Sequence, residues 1–464
     1  MPQSRCIVQL RRRLRAELRK GSVLLAVASG DTRHYITGMG EEARSAHGGR
    51  PIRVCHITSG PLNGGAARGA VTLHRALSDV GCDSTLVTDV VGGIPTDGVV
   101  QLPALIHPRI EQAARRSLEQ LPTNLYRRRS RFLFTTGLFG RSATGIPQVN
   151  DADIVHLHWL GGGLLSLSSL RHLRKPVVWT MRDAWPTTGG CHHPTIHNCT
   201  RFETGCGSCP QLASSKRIDL SRFVLWNKSR GLPANLTLVG NGDWVAQQAR
   251  RSSIFRDREV VAIPGCIDTE VFAPFDKVIA RRILGLPEHG KIVVAGALTP
   301  ADPYKGWPLL VKALAQLPRD YQTVSFGNIA KTQLELMPSL IHSFGHVHDD
   351  RLLRLIYVAA DVHVSAATVE TFGKTVVESL ACGTPVVAFA ATGQTGLVKH
   401  LDSGYLATPF DPTSLAEGMV WVVSHPDAST LSRSARARAV EHFSMPVAAR
   451  AYMSLYHRLL GIGA

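Results

Sequence analysis

Short apolar runs alternate with stretches of helical spacing along most of this chain. In the first half the runs fall at 52–58, 84–88, 154–158, 176–180 and 236–240, with a glycine loop and a helix at 66–80 after the first. In the second half a strand at 292–295, a helix at 307–315 and a strand at 321–326 lead into a longer unit. There 359–365 reads as a buried strand. Apolar Val376, Val377, Leu380 and Ala381 then recur at helical spacing over 375–382, Gly383 supplies the stop, and 385–389 reads as the next strand. Strand, loop, helix, strand is the β-α-β pattern of a parallel sheet. The final stretch, 447–460, is amphipathic.

The loop of that last unit carries the sharpest chemistry. Glu370 and Glu378 bracket a glycine turn in Val369-Glu370-Thr371-Phe372-Gly373-Lys374-Thr375. The first helical turn offers unpaired N–H groups and a partial positive charge that suits a phosphate. Gly373 lets backbone approach such a ligand, Lys374 adds a cation, and Thr375 follows in the same turn. Glu370 stands at the strand's carboxyl edge, where open α/β sheets bind ligands. Glu378 lies two turns on, able to accept hydrogen bonds from a diol. One acid near a sugar, amides at a diphosphate and one acid at a ribose describe a nucleotide-sugar site; the spacing alone also fits a capped helix with two solvated acids.

The strand ends of the first half add candidates. His156-Leu157-His158-Trp159 precedes a glycine run, so His158 and Trp159 could stack on and hydrogen-bond a sugar, although core packing suits Trp159 as well. Gly64 and Gly65 allow a phosphate or acceptor to come close, as an ordinary tight turn also would. Between 189 and 210, Cys191, Cys199, Cys206 and Cys209 sit among glycines at the spacing of a metal knuckle. Four such thiolates close a structural zinc site; reduced thiols or two disulfides satisfy the same count, with His192, His193 and His197 as alternative ligands.

Several landmarks together resemble one family, the retaining glycosyltransferases of family 4 with the GT-B fold. The glutamate pair runs on into Ser379-Leu380-Ala381-Cys382-Gly383-Thr384-Pro385. Asn63-Gly64-Gly65 comes first, Ile263-Pro264-Gly265 opens the second half, and Lys305-Gly306 follows the strand at 292–295. Trp179-Thr180-Met181-Arg182-Asp183-Ala184-Trp185 with Gly189-Gly190-Cys191-His192 is similar to transferases that build extracellular polysaccharide. The resemblance implies two Rossmann-like α/β domains facing across a cleft, with a carboxy-terminal helix returning to the first. The expected bounds are a basic extension at 1–50, poorly ordered and beyond the true start, a first domain at 51–245, a linker at 246–260, a second domain at 261–445 and the returning helix at 446–464. It implies a sugar moved from a nucleotide diphosphate sugar to a glycan or lipid-linked acceptor. Glu370, Lys305 and Asp183 are then the catalytic candidates, with Phe372, Gly373 and Lys374 at the diphosphate, Glu378 at the ribose and His346 near the base. Fixed cations make a divalent metal unnecessary, so no catalytic cofactor is expected. Two departures stand out. Arg182 occupies the place of a family histidine: it cannot serve as a general base and, where it faces the cleft, is expected to hold charge or position the sugar of the substrate. The stretch 297–304 just before Lys305, where relatives carry an arginine, holds none. An epimerase or phosphorylase of the same fold, or a silent membrane-associated subunit, are the alternatives.

Composition sets the remaining bounds. At 464 residues, 44% hydrophobic with 42 glycines, the chain is long enough for two cores, and no apolar run nears the roughly 20 residues that cross a bilayer. The net charge is +17. Outside the motifs it concentrates at 1–50 and at 105–150, where eight arginines face two glutamates and Arg127-Arg128-Arg129-Ser130-Arg131 meets Phe132-Leu133-Phe134. That mix suits an anionic membrane surface or a pyrophosphate-bearing lipid acceptor, or is a solvated arginine face. With no recognition helix or aromatic platform beside it, nucleic acid is not an expected partner. The expected location is cytoplasmic, at or near the inner membrane face.

Overall fold

The computed structural model describes residues 50–62, 64–90, 96–104, 106–296 and 302–462, so the expected extension at 1–50 lies outside them save for Arg50. Two sheets form the frame. The first has strands β1 (Arg53–Thr58), β2 (Asp83–Thr88), β3 (Val99–Gln101), β4 (Ile154–Leu157), β5 (Val177–Met181), β6 (Leu236–Gly240) and β7 (Val260–Ala262), in the order β3-β2-β1-β4-β5-β6-β7. The second has β8 (Lys291–Gly296), β9 (Tyr321–Phe326), β10 (Leu340–Ser343), β11 (Val362–Ser365), β12 (Val386–Phe389) and β13 (Gly404–Ala407), in the order β10-β9-β8-β11-β12-β13. Every pairing in both sheets is parallel. Central strands such as β5 and β12 are buried at every position. Such strands need helices on both faces, which their long crossovers supply.

The helices that matter below are α1 (Gly65–Asp79), α2 (Pro108–Gln120), α3 (Leu220–Gly231), α4 (Asp243–Arg251), α5 (Asp350–Ala359), α6 (Lys374–Ala381), α7 (Ala428–Phe443) and α8 (Met445–Leu460). Strand order reverses between β1 and β4 and again between β8 and β11. Crevices at such reversals, beyond the carboxyl ends of the strands, are where open α/β sheets hold ligands. The α1 loop follows β1, the Lys305 turn follows β8 and the Glu370 loop follows β11.

The expected linker at 246–260 is corrected. Its polar residues form most of α4, whose buried Val245, Ala246 and Ala249 pack on the first sheet, and Val260 opens that sheet's edge strand β7. The chain crosses instead between Ile263, packed in the first core, and Ile267, packed in the second. It returns at Ser444, where Ile267 N donates to Phe443 O at 2.9 Å, so the two crossing segments are paired. Beyond that point α8 lies against α1, with Ala449, Tyr452 and Tyr456 among Leu73, Leu77 and Val80. Ala359 and Ala360, expected in a strand, close α5. Asp361 then accepts from Ile292 N and pairs with Arg281, and β11 begins one residue later.

Candidate active site in the cleft between the sheets

Both reversal points open into one cleft of about 690 Å³, the size range of small-molecule sites. On the second-domain side Lys305 Nζ lies 2.7 Å from Glu370 Oε2, with side-chain exposures of 23% and 18%. Burial alone would push the Glu370 carboxyl up. Lys305 and the amides of Gly373 and Thr371 outweigh it and hold the group below its ordinary value. Gly373 takes φ +66°, the left-handed region that favours glycine, and thereby starts α6. Its amide faces Glu370, and the residue itself borders the cleft. The N–H groups left for a ligand begin with Lys374 and Thr375, at the positive end of α6. The Phe372 ring is largely buried, edge-on to Phe443.

Glu378, one further turn along α6, is 2% exposed yet borders the cleft. Tyr357 Oη donates to its Oε2 at 3.0 Å and Lys374 Nζ lies 3.4 Å from Oε1. Burial raises its carboxyl, and Lys374 and Arg68 offset that only in part. His346 borders the same cleft and pairs with His348 at 2.7 Å.

On the first-domain side the wall begins at the start of α1. Gly65 borders the cleft, and a side chain there would meet open space, so its absence leaves room for a ligand. Gly64 caps the helix in extended backbone and sits behind that wall. Arg68 pairs with Asp350 at the start of α5, and Thr371 Oγ1 donates to Arg182 O at 3.2 Å, so both contacts join the two domains. Asp183 borders the cleft with its carboxylate held by Trp185 N (2.8 Å), His192 Nδ1 (2.7 Å) and Trp159 Nε1 (3.1 Å). Burial opposes its ionisation, but His192 and these donors keep the carboxyl lowered.

Two sugar-contact expectations are corrected. His158 is fully buried and bonds His56 and Arg182, and Trp159 turns its indole N–H onto Asp183; neither borders the cleft. Their place is taken by His193, whose ring lies 4.6 Å from that of Tyr304 across the cleft. The signal for His193 was its position just after the glycine-glycine-cysteine turn; nothing in the sequence marked Tyr304.

The four cysteines of the insert border one small cavity beside Phe134 and Ser221, away from the cleft. All are free thiols, which corrects any disulfide reading. Burial pushes the Cys206 thiol up to about 12 and raises that of Cys209, and the backbone amides of Gly189, and of Leu212 and Gln211, offset it only in part. Among the described residues, the metal-ligating side chains with donor atoms within 4.8 Å of one another are His56, His156 and His158, not these cysteines. Zinc at about 2.3 Å from each sulfur needs them closer than they stand. The histidine cluster fits a metal poorly too, since Tyr456 Oη and Thr180 Oγ1 already occupy both nitrogens of His156 at 2.7 Å.

Comparison with known proteins agrees with this architecture. The family described as "Glycosyltransferase Family 4" matches residues 63–271 and "Glycosyl transferases group 1" matches 289–425. A D-inositol 3-phosphate glycosyltransferase of Stackebrandtia nassauensis is 33% identical over 345 residues, covering 67% of this chain and 68% of the relative. Another, from Mycolicibacterium gilvum, is 28% identical, and the chain spans 65% of its length. Anabaena HepE, solved in complex with UDP and glucose, superposes with TM-score 0.59 at 17% identity over 87% of this chain and 99% of that one, a likeness of fold. The chain belongs to family 4 of the glycosyltransferases, enzymes of the GT-B architecture.

Proposed function

We propose that this chain moves a sugar from a nucleotide diphosphate sugar to a glycan or lipid-linked acceptor with retention of anomeric configuration, as in building a surface polysaccharide. The observation that carries the reading is the Lys305–Glu370 pair at the mouth of α6, with Glu378 behind it in the same cleft. Glu370, fixed by Lys305, accepts hydrogen bonds from the donor sugar's hydroxyls. Glu378 takes the ribose diol. As the sugar–phosphate bond breaks, negative charge builds on the leaving diphosphate. Lys305, Lys374 and the first N–H groups of α6 meet it where it develops. An acceptor seated against the first-domain wall then approaches the face the diphosphate leaves. The solved complex of Anabaena HepE with UDP and glucose supports a nucleotide-sugar donor. The test is a transfer assay with purified protein, after ranking UDP, GDP and ADP by thermal stabilisation. A glycoside of the donor's own anomeric form is expected; inversion, or donor turnover independent of acceptor, would contradict the reading.

The acceptor side is further read as membrane-facing. No helix among the described residues is long and apolar enough to cross a bilayer. Yet Leu125 is 84% exposed, Ile110 59% and Leu121 55%, along α2 and the turn after it, beside exposed Arg127, Arg128 and Arg131. Phe134, which the sequence grouped with these arginines, is instead buried at the cysteine insert. Exposed leucines flanked by arginines fit an anionic lipid surface.

A further inference from the structure

Three cations of the cleft have acids beside them: Lys305 with Glu370, Lys374 with Glu378 and Arg68 with Asp350. Arg182 has none among the described residues. Its one side-chain hydrogen bond there runs from NH2 to His158 Nδ1 at 3.1 Å, and its buried Nε has no partner. An arginine only donates, so His158 Nδ1 is the acceptor and its ring proton sits on Nε2. That proton points at His56 Nδ1, 2.9 Å away, which places the His56 proton on Nε2. The pair is therefore a neutral relay that aims a guanidinium and cannot neutralise it. Burial, with the neighbouring rings and Arg182 itself, keeps both imidazoles uncharged, their pKa values well below the usual one. On its other side the guanidinium lies against α1, where Gly69 makes the room: a Cβ there would stand 2.7 Å from Arg182 NH1.

A cation partly withdrawn from water without a counter-charge costs the fold stability, and an anionic ligand in the cleft it lines offsets that cost. We infer that Arg182 is a phosphoryl-binding group of this cleft, shaped to receive a phosphate in the two-pronged way a guanidinium allows. The inference rests on the glycosyl-transfer reading for its ligands. The phosphoryl group belongs either to the donor's diphosphate, where Arg182 makes up for the arginine absent before Lys305, or to a phosphorylated acceptor.

The experiment compares the wild-type protein with Arg182→Gln and Arg182→Lys. In phosphate-free buffer Arg182→Gln should melt at or above the wild-type temperature, since a partly buried charge without a counter-charge is gone. Inorganic phosphate should stabilise the wild type and not Arg182→Gln. Calorimetric titration with UDP, GDP and ADP, and with glucose 6-phosphate and an inositol monophosphate, separates the sources. The binding partner should bind about tenfold to a hundredfold more weakly to Arg182→Gln, with Arg182→Lys between. Loss confined to the diphosphates identifies the donor, and loss confined to the monophosphates a phosphorylated acceptor. Unchanged affinity for all of them, or a lower melting temperature of Arg182→Gln without phosphate, overturns the inference. Wild-type protein that binds none of the three diphosphates would sink the donor reading instead, and the phosphate and monophosphate arms would still decide the role of Arg182.

Discussion

Replacing Lys305 with alanine removes the cation 2.7 Å from Glu370 and, in the mechanism proposed above, one of two lysines that meet the leaving diphosphate. Both side chains are less than a third exposed, so water screens the pair weakly. Losing a group that meets transition-state charge costs about 10²–10³ in kcat, or ~2.7–4 kcal/mol. A fall of that size in kcat/KM is expected for Lys305→Ala in a transfer assay with saturating acceptor. The pH profile supplies a second readout. In the wild type Lys305 helps hold the Glu370 carboxyl low against burial. A carboxyl lowered in the folded state stabilises the fold above its unfolded pKa, and that contribution is lost as pH falls through the lowered value. Without Lys305 the carboxyl rises from its lowered value, so the acid limb of activity should move to higher pH. A kcat/KM within threefold of wild type, or an acid limb that stays in place, would refute the reasoning.

Glu378→Gln should weaken nucleotide diphosphate-sugar binding about tenfold or more, measured by calorimetry. Because burial raises this carboxyl, wild-type donor affinity should fall as pH drops through the raised value, and the variant should lose that dependence. Chelation with EDTA should leave transfer intact; collapse of activity that magnesium or manganese restores would sink the fixed-cation account of the leaving group. Metal analysis of purified protein should find no zinc, because the cysteine sulfurs of the insert stand too far apart to share one ion; about one zinc per chain, lost in Cys206→Ser/Cys209→Ser, would overturn that reading. Leu125→Asp should reduce co-sedimentation with vesicles rich in anionic lipid and leave binding of the nucleotide diphosphate unchanged; equal sedimentation would argue against a membrane role for that face.

The alternation of short apolar runs and helical spacing made both sheets legible, because a parallel strand must be bounded by crossovers long enough to hold a helix. The glutamate pair and Lys305 were legible for a related reason: loops at the carboxyl ends of such strands are where ligands sit. The same sheets hid other things. β4 is buried on both faces, so its sequence carries no alternation to show which way the residues just beyond it turn. His158 and Trp159 accordingly read as sugar contacts but turn inward. α4 looked like a linker because its charged face outnumbers the three apolar residues that anchor it. Arg182 could be noticed as a departure from the family pattern, but only the folded chain reveals that no acid among the described residues reaches it. The crossing His193–Tyr304 contact joins residues far apart in the chain, so the turn that marks His193 gave no hint of its partner.

The central claim is that a sugar nucleotide lies across the start of α6 with an acid at each end. A crystal structure with the nucleotide diphosphate sugar that most stabilises the protein tests it most directly. The account predicts the diphosphate within hydrogen-bonding distance of Lys305, Lys374 and the first N–H groups of α6, with Glu370 on the sugar and Glu378 on the ribose. A donor bound elsewhere, or either carboxylate turned away from it, would contradict the account.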